Sequence, residues 1–221
     1  NLQTVEYLLE NNILKVNTNK VKFVGVYHNN QRYDFSNTVK FLRNHDSGNF
    51  YLHELRCEVE ENKLFERNVC SPELKDLFDN SIGIFFFGGP DIPPDVYGEE
   101  NTLSVITDPV RHYFELTFLF HLLGGYQNES LIPFMEERPD YFVTGFCLGL
   151  QSINVGTGGT MIQDIPAELY GSEKPEEIVK DDKYNLHHNY WHNISEDTML
   201  MRINFHPVRF TVHPFFRKRV R

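Results

Sequence analysis

Six apolar residues in a row, Ile82–Phe87 (IGIFFF), run straight into Gly88-Gly89-Pro90. No other segment leaves this chain so few ways to fold. A half-exposed strand alternates apolar and polar residues, and an amphipathic helix spaces its apolar residues by three and four. A short unbroken apolar run closed by Gly and Pro does neither. It reads as a strand covered on both faces, as the central strands of a parallel sheet are. Parallel neighbours need crossover helices, and the sequence supplies strands and helices in alternation. Leu2, Val5, Leu8, Leu9, Ile13 and Leu14 recur at helical spacing, so residues 2–14 read as a helix. Lys22–His28 (KFVGVYH) reads as a strand, Asn37–Arg43 as a helix and Asn49–Val59 as a second strand. Ser71 as N-cap and Pro72 at the first helical position open a helix that runs to about Phe78. Asp108-Pro109 starts a long amphipathic helix through about Leu123. Pro139–Phe146 is a further buried strand, and the chain is helical from Gln151 to the glycines at 156, 158 and 159. The fold class expected is α/β, a three-layer α/β/α sandwich with a mostly parallel central sheet. At 221 residues the expectation is one domain, 1–221, whose first strand lies upstream of Asn1.

Composition narrows the function classes. The formal net charge of -10 argues against nucleic acid as the main partner, because phosphate binding needs a basic surface. The basic run Arg217-Lys218-Arg219 with Arg221 reads as a solvated tail. No apolar run is long enough to span a bilayer, so no membrane partner is expected. Cys57, Cys70 and Cys147 are odd in number and suggest neither a zinc knuckle nor a disulfide framework, which leads to a reducing, cytoplasmic setting. His188 and His192 have metal-ligand spacing for a helix but no evident third ligand, so no metal is expected.

The stretch from Thr144 to Thr160, TGFCLGLQSINVGTGGT, places Cys147 between Gly145 and Gly149. A buried structural cysteine needs no glycine two residues away on each side. A nucleophile on a cramped strand-to-helix turn does, because strand and helix then approach without a clash of β-carbons. The helix that follows points its N-terminus at the sulfur, a place that suits negative charge. The amide of Leu148 is positioned as one oxyanion donor. At the end of the Ile82–Phe87 run, bare Gly-Gly backbone lies where ligands bind in open α/β sheets. Pro90 has no N–H, so a second donor must come from Gly88 or Gly89, and Gly89 is the donor expected. Arg111 and Glu115, at i and i+4, read as a helix-stabilising ion pair.

GFCLGLQSINVGTGG resembles the G-x-C-x-G-x-Q nucleophile segment of class I glutamine amidotransferase-like proteins, and most of all their γ-glutamyl hydrolase branch. Asn154-Val155 with Gly158-Gly159, and Gln163-Asp164-Ile165, match what often follows it there. FFFGGPDIPPDVYGE (Phe85–Glu99) resembles the G-G-x-D-x-x-P loop, and DPVRHYFEL (Asp108–Leu116) the D-x-x-R-D-x-F-E-L helix start, with His112 in place of Asp. The resemblance spans about Ile82 to Tyr170. It implies a flavodoxin-like fold and a cysteine hydrolase of γ-glutamyl amide bonds, with Cys147 as nucleophile and Gly89 and Leu148 as the oxyanion hole. Gly88, Asp91 and Gln151 would contact a small-molecule γ-glutamyl substrate. No cofactor is implied, and a homodimer is left open.

Attack on an amide needs a general base, usually His, oriented by a carboxylate. In the resembled family these come from a late F-H-P-E string, preceded by S-x-H-H-Q. This chain carries Leu186-His187-His188-Asn189 and Ile203-Asn204-Phe205-His206-Pro207-Val208, with Val208 where the Glu belongs. His213-Pro214 is followed by Phe215 and Phe216, again without Glu. The expectation is that the true His and Glu lie beyond Arg221. His206, backed by Glu196 or Asp197, is the base candidate within the chain. The alternative function is a catalytically silent binding or regulatory protein on the same fold.

Overall fold

The computed structural model describes residues 2–44 and 48–171. Their elements run α1 (Leu2–Glu10), β1 (Phe23–His28), α2 (Ser36–Asn44), β2 (Phe50–Leu55), α3 (Ser71–Asp79), β3 (Gly83–Phe86), α4 (Pro109–Leu123), β4 (Phe142–Gly145), α5 (Leu148–Gly156) and α6 (Ile165–Tyr170). β1 and β2 pair in parallel, from Phe23 opposite Phe50 to His28 opposite Leu55. β3 and β4 also pair in parallel, from Gly83 opposite Phe142 to Phe86 opposite Gly145. Each pair is joined through a helix, α2 in the first and α4 in the second, as parallel neighbours require. The architecture is α/β with parallel strands.

Contacts divide the chain into two units, Asn1–Met161 and Ile162–Arg221. In the second, α6 is capped by Asp164, whose Oδ1 accepts from the Ala167 amide at 2.9 Å, and it ends at Gly171 in the left-handed region. Among the described residues, the first unit holds β1 to β4 and α1 to α5. Its main core joins Leu55 of β2, Leu74 and Phe78 of α3, Phe86 of β3 and Phe114, Phe118 and Leu122 of α4.

Several local expectations need correction. α1 stops at Glu10, because Asn11 turns its side chain back onto the Tyr7 carbonyl (2.8 Å) and Asn12 takes φ 56°. Cys70, not Ser71, precedes α3 as its cap residue. Ser71 Oγ instead accepts from the Asn68 amide (2.8 Å) and meets His121 Nε2 (2.7 Å). His121 Nδ1 lies 2.7 Å from the Thr117 carbonyl, which can only accept, so the ring proton is on Nδ1 and Ser71 donates to Nε2. α4 is not amphipathic: His112, Phe114 and every residue from Leu116 to Leu122 are buried, the mark of a core helix. In the Ile82–Phe87 run only Phe86 is fully buried, and Ile82 is 68% exposed, so burial on both faces does not hold along its length.

The absence of disulfides is also corrected. Cys57 and Cys70 are joined, with Cα atoms 5.2 Å apart, tying the segment after β2 to the start of α3. The sequence argument for a reducing compartment rested on unpaired cysteines, and two of the three are paired. Among the described residues no helix is long and apolar enough to cross a membrane.

Candidate active site

Because Phe86 lies opposite Gly145, the segments leaving β3 and β4 emerge side by side at the carboxyl edge of this pair. The Phe146 amide extends the pairing by donating to the Phe86 carbonyl at 2.8 Å. The chain then breaks direction in one residue. Cys147 has φ 56° and ψ -116°, and α5 starts at Leu148. L-residues rarely adopt this conformation, at a cost of about 1–3 kcal/mol that surrounding structure must hold in place. The two glycines allow it. A β-carbon on Gly145 would run into the Gly149 backbone, and one on Gly149 would run into the Phe86 carbonyl. Strand, turn and helix are therefore in backbone-to-backbone contact.

Cys147 is an exposed free thiol. Gly88 lies against it: a β-carbon there would sit 3.4 Å from Cys147 Cβ and 3.7 Å from its Sγ. A β-carbon on Gly89 would overlap the Arg111 guanidinium and come within 2.9 Å of Leu148 Cδ2. The structure thus brings Gly88, Gly89, Cys147 and Leu148 together. Neither the Gly89 nor the Leu148 amide donates to another described residue. Gln151 is exposed on α5, one turn beyond Cys147. Asp91 has a different engagement, accepting from the Val105 amide at 2.8 Å and bracing its own loop. His206, His187, His188, His192, Glu196, Asp197 and His213 lie outside the described residues. No described side chain hydrogen-bonds Cys147 Sγ.

Behind the turn lies a polar chain that spacing alone does not foretell. Arg111 Nε donates to Glu115 Oε1 at 2.7 Å, with the two side chains only 12% and 17% exposed. Arg111 Nη2 donates to the carbonyls of Phe87 (3.0 Å) and Gly88 (3.1 Å). Glu115 Oε2 accepts from Ser152 Oγ of α5 at 3.3 Å. Burial pushes the Glu115 carboxyl upward, and Arg111 and Ser152 pull it back. His112, next to Arg111, is fully buried with neither ring nitrogen partnered. Burial, then the Arg111 charge, lowers its pKa to about 4, so it is neutral near pH 7. Ser152 went unread in the sequence. Its one signal is a small polar residue on a helix otherwise buried through Leu148, Gly149, Val155 and Gly156. Among the described residues no group of three or more His, Cys, Asp or Glu converges as a metal site would require.

A free thiol on a strand-to-helix turn, facing a Gly-Gly strand end at the carboxyl edge of parallel strands, defines an α/β protein with a cysteine elbow. Residues 70–220 match the family Peptidase C26, and the chain belongs to that family, which is class I glutamine amidotransferase-like. It is also 37% identical over 83 residues to the glutamine amidotransferase-like protein YvdE homolog of Lactococcus lactis subsp. cremoris, covering 37% of each chain. A similar match, 37% over 83 residues, relates it to the glutamine amidotransferase-like protein YvdE of Lactococcus lactis subsp. lactis (strain IL1403), with 37% of this chain and 29% of that relative covered. The matched segment thus spans about a third of the length of these curated relatives.

Proposed function

We propose that this chain is a cysteine-dependent enzyme that cleaves a γ-glutamyl amide bond through a thioester. One observation carries the reading: the exposed Cys147 thiol is held at φ 56° against the Gly88-Gly89 backbone, with two uncommitted amides beside it. In this reading Cys147 Sγ attacks the γ-carbonyl carbon. The carbonyl oxygen takes the negative charge and is held by the amides of Gly89 and Leu148. The C–N bond breaks, the amine leaves with a proton supplied by a general acid, and water then cleaves the thioester to free the γ-carboxylate. Exposed Gln151 lies one turn away on the same helix, where it can meet the glutamyl end of the substrate. The Asp91 carboxylate would meet the substrate while also accepting from the Val105 amide. Membership of the Peptidase C26 family and likeness to glutamine amidotransferase-like proteins support the class of chemistry.

The test is turnover of L-glutamine and of γ-glutamyl p-nitroanilide, with intact-mass detection of a glutamyl adduct on the protein. Loss of both turnover and adduct in Cys147→Ala, with folding retained, is the expected result. Turnover that survives Cys147→Ala would refute the assignment. The silent-binder reading draws on Val208 standing where a catalytic Glu is expected. Calorimetric binding of a γ-glutamyl compound with no adduct at Cys147 would favour it.

A further inference from the structure

We infer that Arg111 is a positioning residue for the oxyanion site, pinning two successive peptide groups so that the amides of Gly88 and Gly89 face away from α4 and stay open to a substrate oxygen. This rests on the acyl-transfer reading and adds to it a residue outside the reacting atoms. One guanidinium nitrogen, Nη2, holds both the Phe87 and the Gly88 carbonyl. In a trans peptide the N–H points opposite to the C=O. Carbonyls drawn toward Arg111 therefore turn the following amides, those of Gly88 and Gly89, away from it. Neither amide has an acceptor among the described residues.

The clamp matters because the segment it holds is Gly-Gly. Glycine takes either sign of φ at little cost, so an unpinned Gly88–Gly89 peptide can flip. A flipped peptide presents a carbonyl oxygen where the substrate oxygen would gather negative charge, and repels it. The guanidinium is itself fixed from behind. Glu115 takes Nε, and its second oxygen is tied to Ser152 on the helix that Cys147 opens. The loop holding the donors and the helix behind the nucleophile are thereby braced against one another through three side chains. An ion pair serving α4 alone would sit on the surface. This one is nearly buried and commits a nitrogen to a loop on the far side. Gly89 is part of the fit, since a β-carbon there would displace the guanidinium.

The experiment compares two reactions of the same sulfur. N-acetyl-γ-glutamyl p-nitrophenyl ester acylates Cys147: the C–S bond forms, the C–O bond breaks, and p-nitrophenolate leaves with the electron pair and needs no proton. Iodoacetamide alkylates Cys147 by displacing iodide, with no oxyanion formed. Wild-type protein is expected to give a burst of p-nitrophenolate that Cys147→Ser lacks. In Arg111→Gln the burst rate should fall by about 100-fold, the usual scale for misplacing or losing one such donor, while alkylation stays within about threefold. Arg111→Lys, with a charge but no fork, should lie between the two. If Arg111→Gln does not fold, Arg111→Lys carries the same ratio. Two rates that fall together, or an acylation rate that does not fall, would overturn the positioning role. A wild-type protein with no burst overturns the acyl-transfer reading itself and this inference with it.

Discussion

The two parallel strand pairs of this molecule begin alike and end differently. Where β1 ends, the His28 ring is buried and stacks on Phe114 at 4.3 Å. Its Nδ1 accepts from the Asn30 amide, and Gln31 Oε1 accepts from its own amide. Side chains thus line that end, which borders a cavity of about 200 Å³ shared with Glu58, Val59, Val110 and Tyr113. Where β3 and β4 end, backbone meets backbone, one residue is strained, and an arginine holds the loop carbonyls. The difference separates a strand end lined by side chains from one where bare backbone and a thiol are exposed. The glycines show it most plainly. A β-carbon on Gly25 of β1 would meet Leu52 Cδ2 at 3.0 Å, a side-chain end that can move. The obstacles at Gly145 and Gly149 are main-chain atoms, which cannot.

The sharpest break of that comparison is a pair of alanine substitutions. Gly149→Ala should destabilise the fold by about 3 kcal/mol or more, whereas Gly25→Ala should cost about 1 kcal/mol or less. Urea denaturation followed by circular dichroism measures both. Equal effects would remove the distinction between the two strand pairs.

Next in size is an acid effect seated in α4, the crossover helix of the second pair. Folded His112 has a pKa of about 4 against 6.5 for the ordinary side chain. Between those values the unfolded chain binds a proton that the native protein does not. Stability is therefore complete above about pH 6.5 and falls as the pH drops toward 4, by on the order of 3 kcal/mol. His112→Leu should flatten this slope in pH-dependent urea melts. A slope unchanged in that variant would place the acid sensitivity elsewhere.

The disulfide tests whether the two ends are energetically separate. Reduction of Cys57–Cys70, or the double change to serine, should cost about 2–3 kcal/mol for so short a loop. The rate of Cys147 alkylation in the folded protein should not change, since the link joins β2 to α3 and not the elbow. Smallest is the release of strain at the turn. Cys147→Gly should raise stability by about 1 kcal/mol while removing all thiol chemistry, because glycine accepts φ 56°. A thermal midpoint that falls in this variant would mean that Cys147 packing outweighs the strain.

The strands and helices up to α5 were visible because periodicity and punctuation are local: Asp108-Pro109 opens α4, with Asp108 Oδ1 accepting from the Arg111 amide, whereas the short α6 had no such signal read for it. The elbow was visible because its steric demand falls on glycines two residues away. The Arg111–Glu115 pair was visible only as a spacing. Its reach to Phe87 and Gly88, more than twenty residues earlier, is a tertiary fact with no local trace. The same holds for the burial of α4 on every side, because periodicity cannot count the neighbours a helix will have. Cys57 and Cys70 stayed hidden because their spacing matches no recurrent pattern.

That spacing bears on which sulfurs can pair. The closed loop separates its cysteines by 13 residues, and Cys147 follows much later in the sequence. Loop closure grows less favourable with length, as about (3/2)RT ln n. Of these three cysteines the two nearest in sequence are the ones joined, so ring closure favours their bond over one to the sulfur at the elbow.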